Sequence, residues 1–212
     1  MAPGRESATG TPGRIVILNG TPRSGKSSLA RAIQQNFAGN WLNLGVDHQM
    51  ATLPPALMPG IGLRPGGERP DLELQVAALY DLLFASIALN ATHGFNCVVD
   101  LGMHEDYATP LHVLDRAAAT LGPLNALLVG VDCAIDEIMR RRNADPQGHY
   151  LGGDTPPPPV LRWQGAVHAG KEYDLRLDMG VLTSEAGVER IAALLASPPA
   201  RPVLARHVPD AN

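Results

Sequence analysis

A segment near the amino terminus carries residues whose types and spacing predict phosphate binding. Residues 20–27 read Gly-Thr-Pro-Arg-Ser-Gly-Lys-Ser, which fits the pattern G-x-x-x-x-G-K-[ST] at every fixed position. The glycines allow backbone N–H groups to turn towards phosphate oxygens, and the start of a following helix favours anions. Lys26 can reach the β- and γ-phosphates, and the Ser27 hydroxyl can bind Mg²⁺. The alternative is an ordinary glycine-rich turn with an exposed lysine.

The position of this pattern, between an apolar run and a helical one, favours a phosphate loop that binds a nucleoside triphosphate. The sequence has no Asn-Lys-x-Asp guanine-binding motif, so a GTPase is not favoured. We expect the nucleotide to contact every residue of the loop: Gly20, Thr21, Pro22, Arg23, Ser24, Gly25, Lys26, Ser27 and Ser28.

Asp47 is the candidate for the acceptor side of a phosphoryl transfer. It follows the apolar run at 41–46, and ligands of open parallel sheets bind beyond the carboxyl ends of the strands. A carboxylate there can accept the proton of an acceptor hydroxyl and align it with the γ-phosphorus. The alternative role for Asp47 is that of a helix N-cap.

Asp100 ends the apolar run Cys-Val-Val-Asp at 97–100. An apolar run followed by aspartate predicts a carboxylate that holds Mg²⁺ together with Ser27, although a role towards the substrate stays open. Next come His104, Glu105 and Asp106, whose spacing matches no metal-ligand motif, so we expect solvated loop residues there.

Arginines at 140–142 and a long irregular segment predict a lid at about 140–165. Guanidinium groups of Arg140 and Arg141 can neutralise the charge that spreads over the transferred phosphoryl group. Three consecutive helical residues fan over about 200°, so they cannot all reach one ligand. Arg162 is a further candidate, and a solvated helix end is the alternative for the cluster.

Alternating patterns predict the elements that must position these residues. Apolar runs indicate strands at 15–18, 41–46, 97–99, 126–131 and 175–177, and periodic segments indicate helices at 26–37, 72–91, 107–121, 134–142 and 185–195. The alternation predicts one α/β domain, at 14–196, with a five-stranded parallel sheet covered on both faces. Prolines 156–159 are expected in a non-helical surface loop, and we expect disordered tails at 1–13 and 197–212.

The amino-acid composition limits the kinds of binding partner and the cellular compartment that we expect. The 212 residues include 17 Lys and Arg against 21 Asp and Glu, a net charge of −4, which argues against nucleic-acid binding. Cys97 and Cys133 lie in apolar runs and are expected to be buried free thiols in a reducing compartment. We expect no membrane span and no secretion signal, which predicts a cytoplasmic protein.

The combined motifs resemble the chloramphenicol phosphotransferase-like family of P-loop small-molecule kinases. The resemblance rests on IVILNGTPRSGKSSLARAIQ, WLNLGVDHQM, CVVDLGMH, LLVGVDC with RRR shortly after, and AVHAGKEYDLRLD. It implies an adenylate-kinase-like three-layer fold, the cofactors ATP and Mg²⁺, and phosphorylation of a small-molecule hydroxyl. It also implies that Asp47 is the catalytic base and that His168, Tyr173, Asp174 and Asp178 are mainly structural.

Two departures from the family pattern concern the lid. Relatives carry a stretch like Arg-Gly-Asp-Arg, where this chain has Ala-Asp-Pro-Gln-Gly at 144–148, and the lid is extended by Gly-Gly-Asp-Thr-Pro-Pro-Pro-Pro at 152–159. Both departures concern which lid arginines act in the reaction and which molecule is the acceptor.

Three functions remain open from the sequence. The first is an ATP-dependent O-phosphotransferase acting on an antibiotic, such as chloramphenicol, or a related natural product. The second is a metabolic kinase for a nucleoside, sugar or sugar nucleotide, which should carry more charge in the acceptor-covering region 48–82. The third is an ATP-binding regulatory protein. A homo-oligomer is possible in each case.

Overall fold

A parallel sheet with the strand order β2-β3-β1-β4-β5 organises the fold. The computed structural model describes residues 10–58, 69–145 and 153–207. Its strands are β1 Ile15–Asn19, β2 Trp41–Asn43, β3 Asn96–Leu101, β4 Leu127–Asp132 and β5 Leu175–Asp178. Its helices are α1 Lys26–Asn36, α2 Val46–Met50, α3 Glu73–Thr92, α4 Val113–Leu121, α5 Ile135–Ala144, α6 Pro158–Ala166, α7 Ser184–Ala196 and α8 Val203–Arg206.

Strand β1 lies at the centre of the sheet, and each of its five residues is buried. Because successive side chains point to opposite faces of a sheet, Ile15 and Ile17 enter one core while Val16 and Leu18 enter the other. The first core packs under α3, α4 and α8, and the second packs under α1 and α7. This arrangement confirms the predicted three-layer α/β fold.

The second and third strands differ from their predicted lengths. β2 ends at Asn43, and the predicted continuation to residue 46 instead turns at Gly45 and enters α2. β3 extends to Leu101. The helix predicted at 107–121 begins only at Val113, where the Glu105 carboxylate accepts hydrogen bonds from three successive backbone N–H groups, of Leu111, His112 and Val113, at 2.5–3.0 Å.

Helix α6 begins inside the proline run, which corrects the prediction of a non-helical loop. Pro158 and Pro159 occupy its first turn, where the missing N–H groups would have no helical partner in any case and the fixed φ suits the helix. The lid predicted at 140–165 therefore contains the end of α5 and most of α6. Residues 146–152 lie outside the described part of the chain.

The structure also differs from the predicted tails. Residues 203–206 form α8, and Val203 and Leu204 are buried in the core beneath α4. At the other end, Gly13 is buried and its N–H donates to the Ala91 carbonyl at 2.8 Å. The tail prediction failed because two apolar residues in a proline-rich context are too short a pattern to indicate burial. Residues 1–9 and 208–212 are outside the described residues.

Within the described chain, one helical segment is long and apolar enough to span a membrane by length and composition alone. It covers Pro70–Thr92 with mean hydropathy 1.6, although the sequence analysis predicted no such segment. Half of this segment is buried in the protein, where Tyr80, Phe84 and Ile87 pack in the first core. Core packing therefore accounts for its apolar character.

Replacing Asp174 by Ala is expected to lower the free energy of unfolding by about 3 kcal/mol. One of its carboxylate oxygens accepts the Leu128 N–H of β4 at 2.8 Å and the other accepts the Val203 N–H of α8 at 2.9 Å. Hydrogen bonds to charged groups contribute about 1.5–3 kcal/mol each. Urea unfolding would measure the loss.

Asn at position 174 should retain part of that stability, because its amide oxygen still accepts a hydrogen bond. Glu189→Ala, at an exposed position of α7, serves as the control and should change stability by less than about 0.5 kcal/mol. Equal stability of Asp174→Ala and the control would show that the clamp between β4 and α8 is unimportant.

Candidate active site

The phosphate loop connects β1 to α1 at the carboxyl edge of the sheet. A Cβ atom at Gly20 would lie 2.3 Å from the Val131 carbonyl oxygen of β4, so only glycine fits there. Gly25 is the N-cap of α1 with φ 106°, and Arg23 also has a positive φ of 70°. These left-handed residues curl the loop around the start of α1, which is the geometry expected of an anion site.

Lys26, Ser27 and Asp100 meet at the centre of this edge. The Ser27 hydroxyl donates to one oxygen of Asp100 at 2.6 Å, and the Lys26 ammonium lies 3.5 Å from the other. Lys26 also donates to the Thr21 carbonyl at 2.8 Å and is 8% exposed. One carboxylate and one carbonyl thus hold the side chain of Lys26 in place at the loop.

Ser27 and Asp100 offer the oxygen ligands that Mg²⁺ prefers. A hydroxyl and a carboxylate held 2.6 Å apart can both face one small cation. No group of three His, Cys, Asp or Glu side chains suited to a metal occurs within the described ranges. This accords with Mg²⁺ sites, which take one or two protein ligands and fill the rest with phosphate and water.

Asp47 lies in the first turn of α2, two residues after Gly45. Gly45 brings the chain against β3, since a Cβ atom there would lie 3.0 Å from Asp100 Cβ. Gly45, not Asp47, is the N-cap of α2, so the alternative role of Asp47 as a cap is not observed. Asp47 is exposed, and its carboxylate accepts no hydrogen bond from the residues that the structure describes.

The lid arginines take different positions. Arg141 donates to the Arg23 carbonyl of the phosphate loop at 3.1 Å and to the Met179 carbonyl after β5 at 2.6 Å. Arg140 makes a two-pronged contact with Glu137 at 2.6 and 2.7 Å, and its side chain is 69% exposed. Glu137 also binds Arg141, and the two arginines lower the pKa of Glu137 to about 2. Arg141 is therefore fixed at the loop, whereas Arg140 points to solvent.

A cavity of about 670 Å³ lies between the phosphate loop, α5 and the start of α7. Its walls include loop residues, both lid arginines and the turn after β5: Arg23, Gly25, Lys26, Ser27, Ser28, Arg140, Arg141, Ala144, Asp145, Met179, Leu182, Thr183 and Ser184. Its size suits a nucleotide. Arg162 lies elsewhere, on α6, paired with Asp106 at 3.3 Å.

The residues after β3 are more ordered than the sequence analysis expected. His104 is fully buried and stacks on Tyr107 with ring centroids 4.3 Å apart, and Glu105 caps α4. The expectation of solvated loop residues is wrong for both, and holds only for the exposed Asp106. No local sequence pattern distinguishes a stacked histidine or a capping glutamate from charged side chains in a solvated loop.

A buried polar network, which sequence reasoning missed, supports the loop from below. Asn19 ends β1; its Nδ2 donates to the Tyr173 hydroxyl at 2.9 Å and its Oδ1 accepts the Met103 N–H at 2.6 Å. The Tyr173 hydroxyl lies 2.7 Å from His168 Nδ1, and His168 Nε2 faces the Asp132 carboxylate at 3.4 Å. The neutral tautomer protonated at Nε2 suits both contacts, with Nδ1 accepting from the hydroxyl. The available signal was that Asn19, Asp132 and Asp178 are polar residues ending apolar strands.

Burial shapes the ionisation of this network. It raises the pKa of Tyr173 to about 12 and lowers the pKa of His168 below 6.5. Asp132 opposes the shift of His168, whereas Arg176 and Lys171 reinforce it. Burial thus favours the neutral form of the His168 imidazole.

Acid should destabilise the protein partly through His168. A lowered pKa in the folded state means that the unfolded chain binds more protons, so this contribution to stability is present above pH ~6.5 and is lost as the pH falls through the folded-state pKa. Urea unfolding from pH 8 to 5 should show a steeper loss for the native chain than for His168→Gln. The exposed His207→Gln variant should follow the native curve; if His168→Gln does so as well, the network does not couple to pH.

Comparisons with known proteins agree with this geometry. A relative in Mycobacterium tuberculosis, named "Putative O-phosphotransferase", is 27% identical over 187 residues, covering 78% of this chain and 75% of its own. A sugar kinase from Janibacter superposes with TM-score 0.60 at 19% identity, covering 89% and 98% of the two chains. The Mycobacterium tuberculosis APS kinase with AMPPNP and APS gives 0.58 at 19% identity, covering 89% and 100%.

The solved structures share the fold of P-loop kinases, which confirms the expected adenylate-kinase-like architecture. The family model for the chloramphenicol phosphotransferase-like proteins matches residues 13–196, which include the phosphate loop, Asp47, Asp100 and the lid arginines. The chain has the fold of P-loop kinases, and it belongs to the chloramphenicol phosphotransferase-like family.

Proposed function

We propose that this protein is a cytoplasmic, ATP-dependent O-phosphotransferase that transfers the γ-phosphate of ATP to a hydroxyl group of a small molecule. The proposed acceptor is an antibiotic of the chloramphenicol kind or a related natural product. The observation that carries the proposal is the cluster of Lys26, Ser27 and Asp100, against which Gly45 brings the start of α2, the helix that carries Asp47. Buried free thiols at Cys97 and Cys133 suit a reducing compartment.

The donor half of the reaction uses the phosphate loop and α5. ATP would lie in the cavity lined by Lys26, Arg141 and Thr183, with its phosphates against the loop amides. Mg²⁺, held by Ser27 and Asp100, would supply neutralisation of phosphate charge. Lys26 and Arg141 each donate to a carbonyl of the loop and line the same cavity, so both can stabilise the charge that develops on the transferred group.

The acceptor half uses Asp47. The acceptor oxygen forms a bond to the γ-phosphorus, the bond from that phosphorus to the β–γ bridging oxygen breaks, and ADP leaves with the electron pair. The hydroxyl proton passes to the Asp47 carboxylate. Because the transition state is loose, Asp47 contributes mainly by aligning the hydroxyl before the proton moves. The exposure of Asp47 leaves its carboxylate accessible to the acceptor.

The described part of the acceptor-covering region supports a largely apolar acceptor. Met50 and Leu57 pack beside the first core, and Arg69 is neutralised by Asp71 at 2.7 Å. A kinase for a sugar nucleotide or another anionic metabolite would need cationic groups available to its substrate. The apolar packing and the paired arginine of this region favour an uncharged natural product over an anionic metabolite as the acceptor.

Acceptor-dependent release of ADP tests the function directly. The protein is incubated with Mg²⁺-ATP and a panel of hydroxylated natural products, chloramphenicol included, beside a panel of sugars and nucleosides. We expect at least one natural product to stimulate ADP release and to gain one phosphate by mass spectrometry. Stimulation by sugars or nucleosides alone would favour the metabolic kinase, and ATP binding without any acceptor would favour the regulatory protein.

Asp47→Asn is expected to reduce kcat by about 10²–10⁴-fold, which is the usual contribution of a positioned acid–base group. The amide keeps the shape of the side chain but loses the charge and the capacity to take a proton. The affinity for ATP should stay within about twofold, because Asp47 lies on the β2 side, away from the nucleotide cavity. Steady-state kinetics and nucleotide titration provide both quantities.

The control for Asp47 is Glu189→Gln, which removes an exposed carboxylate of α7 and should leave kcat unchanged. Near-normal turnover of Asp47→Asn would reject its role as base. Loss of ATP binding instead would place Asp47 with the metal and the phosphates.

The two lid arginines form a matched pair for a second test. Arg141→Ala removes the guanidinium that contacts the phosphate loop, and we expect kcat to fall by about 10²-fold, as for one lost transition-state donor. Arg140→Ala removes a solvent-directed guanidinium and should cost less than about tenfold. A larger effect of Arg140→Ala would mean that the lid rotates before transfer and brings Arg140 to the phosphates.

A further inference from the structure

Helix α6 lies across the carboxyl end of the central strand. On one side, Trp163 rests on Gly102 just beyond β3, where a Cβ atom would lie 2.9 Å from the indole Cζ2. On the other side, Gln164 donates to the Cys133 carbonyl just beyond β4 at 2.8 Å. Because β1 lies between β3 and β4, these two contacts place the helix over Gly20, where the phosphate loop begins.

Two buried polar atoms on this helix have no hydrogen-bond partner among the described residues. They are the indole Nε1 of Trp163 and the amide Oε1 of Gln164. Trp163 is 8% exposed, and buried N–H groups of proteins are nearly always paired. An unpaired donor buried at the rim of an active site indicates a group that a ligand satisfies when it binds.

The position of Trp163 indicates whether this ligand is the nucleotide or the acceptor. The nucleotide cavity lies on the side of α5, β5 and α7, and Trp163 does not line it. The indole instead lies beyond β3, where it packs on Gly102, two residues after Asp100. It also stands edge-on to the ring of His104, with the ring centroids 5.6 Å apart. β3 is the neighbour of β2, which leads to Asp47. Trp163 is therefore on the acceptor side.

The attachment of α6 allows the indole to become accessible. Next to Trp163, Arg162 pairs with Asp106 at 3.3 Å, and both side chains are nearly half exposed. Exposed ion pairs of this kind contribute little to stability. The ion pair therefore does little to hold α6 in place, and entry of the acceptor requires Trp163 to separate from Gly102 and Gln164 from the Cys133 carbonyl.

We propose that Trp163 is a specificity-determining residue of the acceptor site, and that its indole N–H donates a hydrogen bond to an oxygen of the acceptor other than the phosphorylated hydroxyl. The inference rests on the proposed function. The matching ligand class is an uncharged hydroxylated molecule with a second oxygen beside an apolar surface. A neutral donor, an aromatic wall and an arginine already neutralised by Asp106 suit such a molecule and do not suit an anion.

Trp163→Phe keeps an aromatic ring and removes the donor. The acceptor is the compound that releases most ADP in the panel described above. We expect its KM to rise about tenfold, which corresponds to one lost hydrogen bond, while the KM for ATP and the kcat change by less than about threefold. Trp41→Phe, at the far end of β2 where the indole donates to the Ala38 carbonyl, is the matched control and should change none of these.

Intrinsic fluorescence gives a second readout that keeps Trp163 native. The chain has two tryptophans, so the Trp41→Phe protein reports on Trp163 alone. Its emission should shift when the acceptor is added and should stay unchanged with Mg²⁺-AMPPNP alone. This measurement decides the question even if Trp163→Phe folds poorly.

Distinct results overturn the inference. An unchanged acceptor KM in active Trp163→Phe, or a silent Trp163 on saturation with acceptor, would show that the indole does not meet the acceptor. A raised KM for ATP, or a response to AMPPNP alone, would assign it to the nucleotide. If no compound of the panel supports ADP release, the proposed function itself fails, and the inference fails with it.

Discussion

The contact of Asp100 with Ser27 and Lys26 is the interaction on which the site depends. It joins residues 73 positions apart, and it exists because β3 pairs with β1 so that Asp100 lies beside Leu18, near the end of the strand that feeds the loop. A buried ammonium without a counter-charge would be expensive. The carboxylate thus makes it possible to bury Lys26 before any phosphate arrives. It also presents the side chain of Ser27, the first hydroxyl of the helix, in a fixed orientation.

A second layer of contacts keeps this arrangement stiff. Asn19 has no contact with the phosphates, yet it ties the end of β1 to β3 through Met103 and to the segment before β5 through Tyr173. Glu137 organises the opposite wall in a similar way, because a single carboxylate orients two neighbouring arginines in different directions. Pre-organised donors are effective in catalysis because they need not reorient when charge develops.

The sequence predicted the parts of this protein whose information is local. The phosphate loop is eight consecutive residues with a specific stereochemical demand, and buried parallel strands read as short apolar runs wherever they occur. It could not predict that Arg141, and not Arg140, is held at the loop, because that choice depends on Glu137 and on carbonyls at positions 23 and 179. The sequence analysis missed the helical start at Pro158 and the burial of Val203 for a similar reason. The residues that hold these segments, the sheet end at Cys133 and Asp174 respectively, lie far away in sequence.

The close approach of Gly45 to Asp100 has a consequence for how such enzymes diversify. The segment after β2 meets Asp100 at a position that has no side chain, where a Cβ atom would lie only 3.0 Å from Asp100 Cβ, so the junction is more constrained than the apolar positions that follow it. Changes between Val46 and Met58 alter the segment that carries Asp47 without touching the residues that line the cavity at the phosphate loop. A mutational library that seeks new acceptors should therefore keep Gly45 and Asp47 fixed and randomise the apolar positions around them.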